Sequence, residues 1–336
     1  MILVTGGTGL VGAHLLYNLT SKGEKVRALY RSEHKLDNVK RVFSCYTEDY
    51  QSIFDSIEWF KGDILDIPSL SDAFTNITYV YHCAAFVSFE PDKYQLLRKT
   101  NIEGTANIVN HCISGKIKKL CYVSSIATIG ATASMKDITE EAEWNPEEQN
   151  NVYAITKYGA EMEVWRASQE GLNMVIVNPG VILGAGIWRY GSGSIFKKAH
   201  KGLKYYTSGS IGLVDVKDVV SIMIALTNSS INNERFILVA ENWSYKTFLQ
   251  TAAQSVESSI PKKLASYSLL QMGWRLDWLN HKLFGRRRQL TKHLSLTLNT
   301  LKSYSNVKVK TALKYDFKPI NETITEVGQL YLKQLR

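Results

Sequence analysis

Two side chains that could transfer a proton stand four residues apart near the middle of the sequence. They are Tyr153 and Lys157, in the segment YAITK. If this segment is helical, the spacing places both side chains on one face, one turn apart. The ammonium group would then lower the pKa of the phenol towards neutrality, and Tyr153 could exchange a proton with a substrate oxygen. The same spacing is common by chance, so its chemistry depends on the rest of the sequence.

A second candidate site lies at the start of the chain. The segment TGGTGLVG (residues 5–12) follows a short apolar run and precedes an amphipathic one. Its glycines, Gly6, Gly9 and Gly12, permit a tight turn, close approach of a pyrophosphate, and close packing of a helix on a strand. The N-terminus of that helix would offer free N–H groups to the phosphates. The predicted dinucleotide contacts are Thr5, Gly6, Thr8, Gly9, Leu10, Val11 and Gly12.

The end of the second predicted strand indicates which dinucleotide binds. Enzymes that use NAD usually have a carboxylate there, which binds the ribose hydroxyls and would repel a 2′-phosphate. Here the segment reads VRALYRS (residues 26–32), and the first acid is Glu33. Arg31 could form a charge-assisted pair with the phosphate, assisted by Lys35. NADP(H) is therefore favoured, with NAD(H) as the alternative if Arg31 is only a solvated cation.

The elements that must position these residues follow a regular alternation up to Pro179. Predicted strands cover residues 2–5, 25–31, 57–61, 79–83, 119–124 and 174–178, and predicted helices cover 10–21, 69–74, 94–113 and 153–170. Nearly continuous apolar strands that alternate with helices are typical of a parallel sheet with helices on both faces. The sequence thus predicts an α/β fold with a Rossmann-type, doubly wound parallel sheet.

Beyond Pro179 the alternation loosens, and glycines crowd residues 180–193. We predict a dinucleotide-binding Rossmann domain over residues 1–179, with its sheet completed by about residues 213–240. A smaller, discontinuous C-terminal substrate lobe would then consist of residues 180–212 and 241–336.

Taken together, these motifs resemble the extended short-chain dehydrogenase/reductases over about the first 240 residues. The resemblance rests on TGGTGLVG, on YVSSIATIG (residues 122–130) and on YAITK. Aligned on Gly130, it implies that Ser125 is the catalytic hydroxyl that stabilises negative charge on the substrate oxygen, with Ser124 as the alternative. It also implies that Lys157 holds the nicotinamide ribose. Asn101 would be the structural and proton-relay asparagine of the family, or else a helix-surface amide.

Further cofactor contacts are implied by the same resemblance. Asp63 and Ile64 would lie beside the adenine, and the small residues Ala84 and Ala85 would leave room for the cofactor. Pro179 and Gly180 belong to a segment that flanks the substrate pocket, and they complete the expected contacts together with Tyr153 and Lys157.

The residues beside the catalytic hydroxyl bear on the reaction. Sugar-nucleotide dehydratases of this group have an acidic pair where this chain has Ile126 and Ala127. The chain most resembles dihydroflavonol reductases, cinnamoyl-CoA reductases and 3β-hydroxysteroid dehydrogenases. That resemblance implies an NADPH-dependent reductase of an aldehyde or ketone, with Tyr153 as proton donor. The alternatives are an NAD-dependent sugar-nucleotide epimerase and a non-catalytic NADP-binding sensor or assembly protein.

Charge is concentrated in the last quarter of the chain. From Lys262 onwards there are 15 basic and 4 acidic residues, whereas the remainder has a net charge of −2. A stretch rich in Leu and Trp (residues 264–284) runs into Arg286, Arg287 and Arg288. It is either a core helix pair with a solvated basic edge or an amphipathic segment for peripheral membrane contact or an apolar substrate.

Other partners and the location are predicted only coarsely. Residues 1–5 already resemble a strand, with no basic leader, which predicts a cytoplasmic protein. The four cysteines have no metal-ligand spacing, so no metal site is expected. No nucleic-acid motif is present. A small carbonyl or alcohol is the expected substrate, and the family resemblance implies a homodimer through the helices at 94–113 and 153–170.

Overall fold

The computed structural model describes residues 1–130, 137–285, 288 and 290–335. Its strands, in chain order, are β1 (Ile2–Thr5), β2 (Val26–Tyr30), β3 (Glu58–Lys61), β4 (Tyr79–His82), β5 (Lys119–Val123), β6 (Met174–Pro179), β7 (Val181–Leu183), β8 (Tyr205–Tyr206), β9 (Ser210–Asp215), β10 (Glu234–Leu238), β11 (Glu241–Ser244) and β12 (Lys263–Leu264).

The helices alternate with these strands through the first half of the chain. They are α1 (Leu10–Thr20), α2 (Leu36–Phe43), α3 (Tyr50–Asp55), α4 (Ile67–Ala73), α5 (Tyr94–Leu97), α6 (Gly104–Ser114), α7 (Val152–Gln169), α8 (Gly193–His200), α9 (Val216–Asn228), α10 (Tyr245–Ser255), α11 (Tyr267–Phe284), α12 (Lys292–Thr297), α13 (Val307–Leu313) and α14 (Ile320–Leu335). Among the described residues, none of these helices combines the length and apolar composition needed to cross a bilayer.

The main sheet has seven strands in the order β10-β6-β5-β4-β1-β2-β3. Every neighbouring pair in it is parallel. The strand order reverses between β1 and β4, and in such sheets a ligand binds outside the carboxyl ends of the strands at that point. The predicted doubly wound Rossmann sheet is therefore confirmed.

Apolar side chains on both faces of the sheet explain why its strands are buried. One core packs α1 and α9 against the sheet, with Leu16 and Met223 among its members. A second core packs α6 and α7 against the opposite face, with Ile108 and Val164. Burial on both faces requires apolar residues at successive positions, which is why the strands were recognisable in the sequence.

Two details of the first half differ from the prediction. The helices α2 and α3 lie between β2 and β3, where no helix was expected; α2 buries only one side, through Val39, Val42 and Phe43. The single helix predicted over residues 94–113 is interrupted by a π-helical segment, Arg98–Glu103, between α5 and α6. Such wide turns occur mostly within α-helices and often at functional sites.

The chain after β6 forms a second layer of structure. A small sheet of order β11-β9-β7 packs against α8, α10 and α14 around Phe196, Phe248 and Ile324. The main sheet is completed by β10 alone, because β9 at residues 210–215 belongs to the small sheet. We keep the division into a dinucleotide domain and a discontinuous substrate lobe as a prediction.

Candidate active site

The turn between β1 and α1 packs so closely against neighbouring backbone that it requires glycine. Gly6 has a φ of +70°, in the left-handed region, and a Cβ there would lie 2.5 Å from the backbone nitrogen of Ala84. A Cβ on Gly12 would collide with the carbonyl of Gly6. The turn thus lies directly against the backbone at the end of β4. Ala84 is half-buried beside it, and Ala85 is exposed.

The N-terminus of α1 opens at this turn. Gly9 is its N-cap, no described side chain caps the helix, and its first turn contains no acid. Leu10 and Val11 are the first two helical residues, with Thr8 and Gly9 half-buried just before them. The uncapped N–H groups and the positive end of the helix dipole suit an anion. Together with the glycine-only turn, they fit the diphosphate of a dinucleotide.

The base of the turn is fixed by a hydrogen-bond chain that the sequence analysis missed. Thr5 Oγ1 lies 2.6 Å from His82 Nδ1, and His82 Nε2 lies 2.9 Å from Thr105 Oγ1. Burial lowers the pKa of His82 to about 3, so its imidazole is neutral. The neutral ring joins the ends of β1 and β4 to α6.

The adenine end of the candidate site is open to solvent. Arg31 Nη1 lies 3.6 Å from Asp63 Oδ2, and both side chains are partly exposed. The other carboxylate oxygen of Asp63 accepts a hydrogen bond from Leu65 N, and Ile64 is buried. Lys35 ends the short helical turn Glu33–Lys35 and is half-buried. An exposed ion pair contributes about 0–1 kcal/mol, so Arg31 can readily exchange Asp63 for a phosphate.

Helix α7, which carries Tyr153 and Lys157, begins with a side-chain cap, because Asn151 Oδ1 accepts a hydrogen bond from Ala154 N. Tyr153 lies in its first turn, half-buried, with its ring edge-on to Phe89. Burial raises the pKa of Tyr153 to about 12, while a hydrogen bond with Ser125 acts in the opposite direction. The expected lowering of this pKa by Lys157 was therefore wrong.

The ammonium group of Lys157 is bound at the end of β5. Lys157 Nζ donates to Tyr122 OH at 2.5 Å and to the carbonyl of Val123 at 2.9 Å, both at the end of β5. Burial lowers the pKa of Lys157 to about 7, and the nearby Glu161 carboxylate acts in the opposite direction. The four-residue spacing predicted that Tyr153 and Lys157 share one face of α7. It did not predict that the ammonium group would be bound to β5.

One helical turn beyond Lys157, Glu161 forms the centre of a buried network that the sequence analysis also missed. One carboxylate oxygen accepts hydrogen bonds from Ser124 Oγ (2.5 Å), Thr128 Oγ1 (2.7 Å) and Asn178 Nδ2 (2.9 Å). The other oxygen lies 3.2 Å from Arg235 Nη1. The four-residue spacing of Tyr153, Lys157 and Glu161 was the available signal.

This network distinguishes the two adjacent serines. Ser124 is buried, and its hydroxyl is committed to Glu161. Ser125 is half-buried; its Oγ accepts from Ala127 N at 3.1 Å and is the group that hydrogen-bonds Tyr153. The hydroxyl beside the phenol is thus that of Ser125.

Asn101 lies in the π-helical segment and is almost fully buried, so it is not a helix-surface amide. Its Oδ1 accepts from Phe86 N at 2.7 Å, and its Nδ2 donates to the Phe86 carbonyl and to Thr156 Oγ1. These bonds join the loop after β4 to α7. Its role as a proton relay stays a prediction.

At the end of β6, Pro179 is buried and Gly180 N donates to the carbonyl of Leu238 at 3.0 Å. A Cβ on Gly180 would lie 2.5 Å from the carbonyl of Gly212, so the main sheet and the small sheet meet here without room for a side chain. Both residues lie at the same edge of the sheet as Ser125.

Comparison with known proteins agrees with this geometry. Residues 2–239 match the model of the NAD dependent epimerase/dehydratase family. Sterol demethylase protein B of Methylococcus capsulatus is 28% identical over 300 residues, which cover 88% of this chain and 87% of that protein. A putative dihydroflavonol 4-reductase of Synechocystis is 30% identical over 256 residues, which cover 73% and 69%.

A solved structure shows the same fold. The UDP-glucose 4-epimerase of Thermotoga maritima, determined with UDP-glucose, has a TM-score of 0.77 at 18% identity and covers 100% of this chain and 99% of its own. At 18% identity, this similarity shows a shared fold and nothing about the reaction.

The parallel sheet, the glycine turn and the Tyr153–Lys157 pair define an extended short-chain dehydrogenase/reductase. The chain belongs to the NAD-dependent epimerase/dehydratase family, whose model matches well over half of its length. It is accordingly an NAD(P)-dependent enzyme that acts on an alcohol or carbonyl group.

Proposed function

We propose that the protein is an NADPH-dependent reductase of an aldehyde or ketone. The observation that carries the proposal is the position of the Tyr153 phenol beside the Ser125 hydroxyl, just beyond the carboxyl end of β5. Two hydroxyl groups placed together in this way can contact the same substrate oxygen. Reduction of a carbonyl requires a proton donor at that oxygen, and a phenol is protonated at neutral pH.

Each described side chain then has a defined task. Ser125 donates a hydrogen bond to the carbonyl oxygen and stabilises its developing negative charge. Tyr153 transfers its phenolic proton to the same oxygen. NADPH, when bound, supplies the hydride. Lys157 would hold the nicotinamide ribose. Its bond to the end of β5, together with the bonds of Asn101, keeps α7, β5 and the loop after β4 in place around the reacting oxygen.

The cofactor preference is the part of the proposal that Arg31 supports. Its guanidinium extends from the end of β2, where an NAD enzyme usually has an acid. Its present partner, the carboxylate of Asp63, is partly exposed. NADPH would bind with its 2′-phosphate at Arg31, and Lys35 would contribute charge. NAD(H) remains the alternative cofactor.

The names of the relatives favour reduction of a small organic carbonyl. One of them, at 30% identity, is named as a putative dihydroflavonol 4-reductase. The likeness to a UDP-glucose epimerase favours the second candidate, a sugar-nucleotide epimerase, on fold alone. The end of β2 has Arg31 where an NAD-binding epimerase would usually have an acid, and this argues against that candidate.

We also propose a homodimer through α5, α6 and α7. Leu96 and Ile155 expose 49% and 39% of their surfaces on two of these helices, although both are large and apolar. The cytoplasmic location stays a prediction.

A scan of NADPH oxidation across aldehydes, ketones, steroids and acyl-CoA thioesters tests the proposal. We expect NADPH to be consumed with at least one carbonyl class, and faster than NADH. NAD retained through purification, with epimerisation of a nucleotide sugar and no net NADPH oxidation, would identify the epimerase. Tight NADPH binding without turnover on any carbonyl or nucleotide sugar would support the non-catalytic alternative.

A further inference from the structure

Helix α11 presents a row of large apolar side chains to solvent. Met272, Leu276, Leu279 and Leu283 expose 55%, 54%, 43% and 63% of their surfaces. Their spacing of four, three and four residues aligns them along one face of the helix. Leu270 is the buried residue of this 18-residue helix. Monomeric soluble proteins rarely expose such a continuous apolar row without a partner for it.

Exposed basic residues lie beside this row. Residues 262–302 contain nine basic residues and one acid, Asp277. Arg275 and Lys282 are exposed on the helix itself, beside the apolar row. Arg288, which lies 3.8 Å from Asp277, has only 10% of its side chain exposed and does not contribute to this surface, while Arg286 and Arg287 fall outside the described residues. The surface therefore combines an apolar face with a positive border that Arg275 and Lys282 form.

The tryptophans of α11 have the placement typical of a membrane interface. Trp278 is 44% exposed, with Lys282 Nζ 5.2 Å from the centre of its ring, and Arg275 lies 4.8 Å from the ring of Trp274. Tryptophan and basic side chains are favoured at the headgroup level, where one part of the residue is apolar and the other is hydrated.

We propose that α11 lies in the surface of an anionic lipid bilayer and docks the protein there. Its apolar row would enter the boundary between headgroups and acyl chains, and its basic border would pair with anionic headgroups. An acidic protein could neutralise the same charge, but only a matching apolar groove would cover the row. An anionic bilayer can cover both the apolar row and the basic border, and it needs no groove of matching shape. It is therefore the occupant that this surface fits best.

The docked helix connects to the candidate site through α12. Gln271 Nε2 donates to Ser295 Oγ at 3.3 Å, and His293 Nε2 lies 2.8 Å from the carbonyl of Gln149. Gln149 is two residues before Asn151, the N-cap of the catalytic helix. Docking of α11 would therefore hold the predicted substrate lobe close to the bilayer.

Co-sedimentation of the full chain with vesicles tests the proposal. The vesicles are phosphatidylcholine alone or phosphatidylcholine mixed with phosphatidylglycerol. We expect binding to the anionic vesicles, weakened by salt, and little binding to neutral ones. Both Leu276→Glu/Leu283→Glu and Arg275→Gln/Lys282→Gln should reduce binding more than about tenfold. The matched control, Ile67→Glu, replaces an apolar residue that is 56% exposed on α4 and should bind normally.

All five altered positions are exposed, so the variants should retain the thermal stability of the wild type. No binding of the wild type to anionic vesicles at low salt would overturn the proposal. So would binding that the α11 variants leave unchanged. A dimer that Leu276→Glu/Leu283→Glu dissociates, without any vesicle binding, would show that a second copy covers the row and would equally overturn it.

Discussion

The two ends of the candidate site are built differently. At the reaction end, Lys157 and Glu161 are buried, and their polar atoms are bound to β5, β6 and β10. At the adenine end, Arg31 and Asp63 form an ion pair that is open to solvent. Removal of one partner from a buried set leaves another polar group unsatisfied, whereas water replaces a lost partner at the surface. Substitutions should therefore have large effects at the first end and small ones at the second.

The largest effect is expected from Tyr153→Phe. Loss of the hydroxyl removes the proton donor while the ring keeps its contact with Phe89. Turnover should fall about 10²–10⁴-fold, with NADPH affinity and melting temperature nearly unchanged. Steady-state kinetics and thermal unfolding measure these quantities. Normal turnover of the variant on the true substrate would show that Tyr153 is not the proton donor.

The adjacent serines provide a sharper comparison. Ser125→Ala should lower turnover about 10²–10³-fold, the usual loss of one donor to a developing oxyanion, with little change in stability. Ser124→Ala should instead lower the free energy of unfolding by about 1–3 kcal/mol, because the buried Glu161 carboxylate loses a hydrogen bond. Kinetics and denaturant unfolding of both variants separate the two roles. A reversed pattern would assign the catalytic hydroxyl to Ser124.

The pH dependence of NADPH binding tests the buried lysine. Burial lowers the pKa of Lys157 to about 7, so the ammonium form is present below that pH and is lost as the pH rises through it. Since the charged form is expected to hold the nicotinamide ribose, kcat/KM for NADPH should fall up to tenfold per pH unit above about pH 7. In Lys157→Arg this decrease should disappear, because guanidinium stays charged. Its persistence in the variant would assign it to another group.

The effect expected at Arg31 is confined to the choice of cofactor and leaves turnover unchanged. Arg31→Asp should reverse the preference for NADPH over NADH by about 1–3 kcal/mol, the contribution of a charged hydrogen bond, and should leave kcat unchanged. Lys35→Gln is the matched control and should change the preference less. Equal affinity of the wild type for both cofactors would remove the role proposed for Arg31.

The sequence predicted the features that depend on contacts within short segments, and it did not predict those that depend on residues far apart in the chain. The glycine turn and the strands of the parallel sheet are encoded within segments of four to eight residues, and both are present as expected. The Glu161 network could not be predicted, because its partners Thr128 and Arg235 lie 33 and 74 residues away. The predicted lowering of the pKa of Tyr153 was wrong for the same reason, because burial by distant parts of the chain has the largest influence on this pKa and the four-residue spacing does not encode it.

The path of the hydride tests the central claim most directly. NADPH that carries deuterium at the transferred position of C4 would be incubated with the best carbonyl from the substrate scan. The account predicts that one deuterium appears on the new carbinol carbon for each NADPH consumed, as measured by mass spectrometry, and that Tyr153→Phe slows this transfer. An epimerised sugar nucleotide formed with no deuterium and no net consumption of NADPH would contradict it.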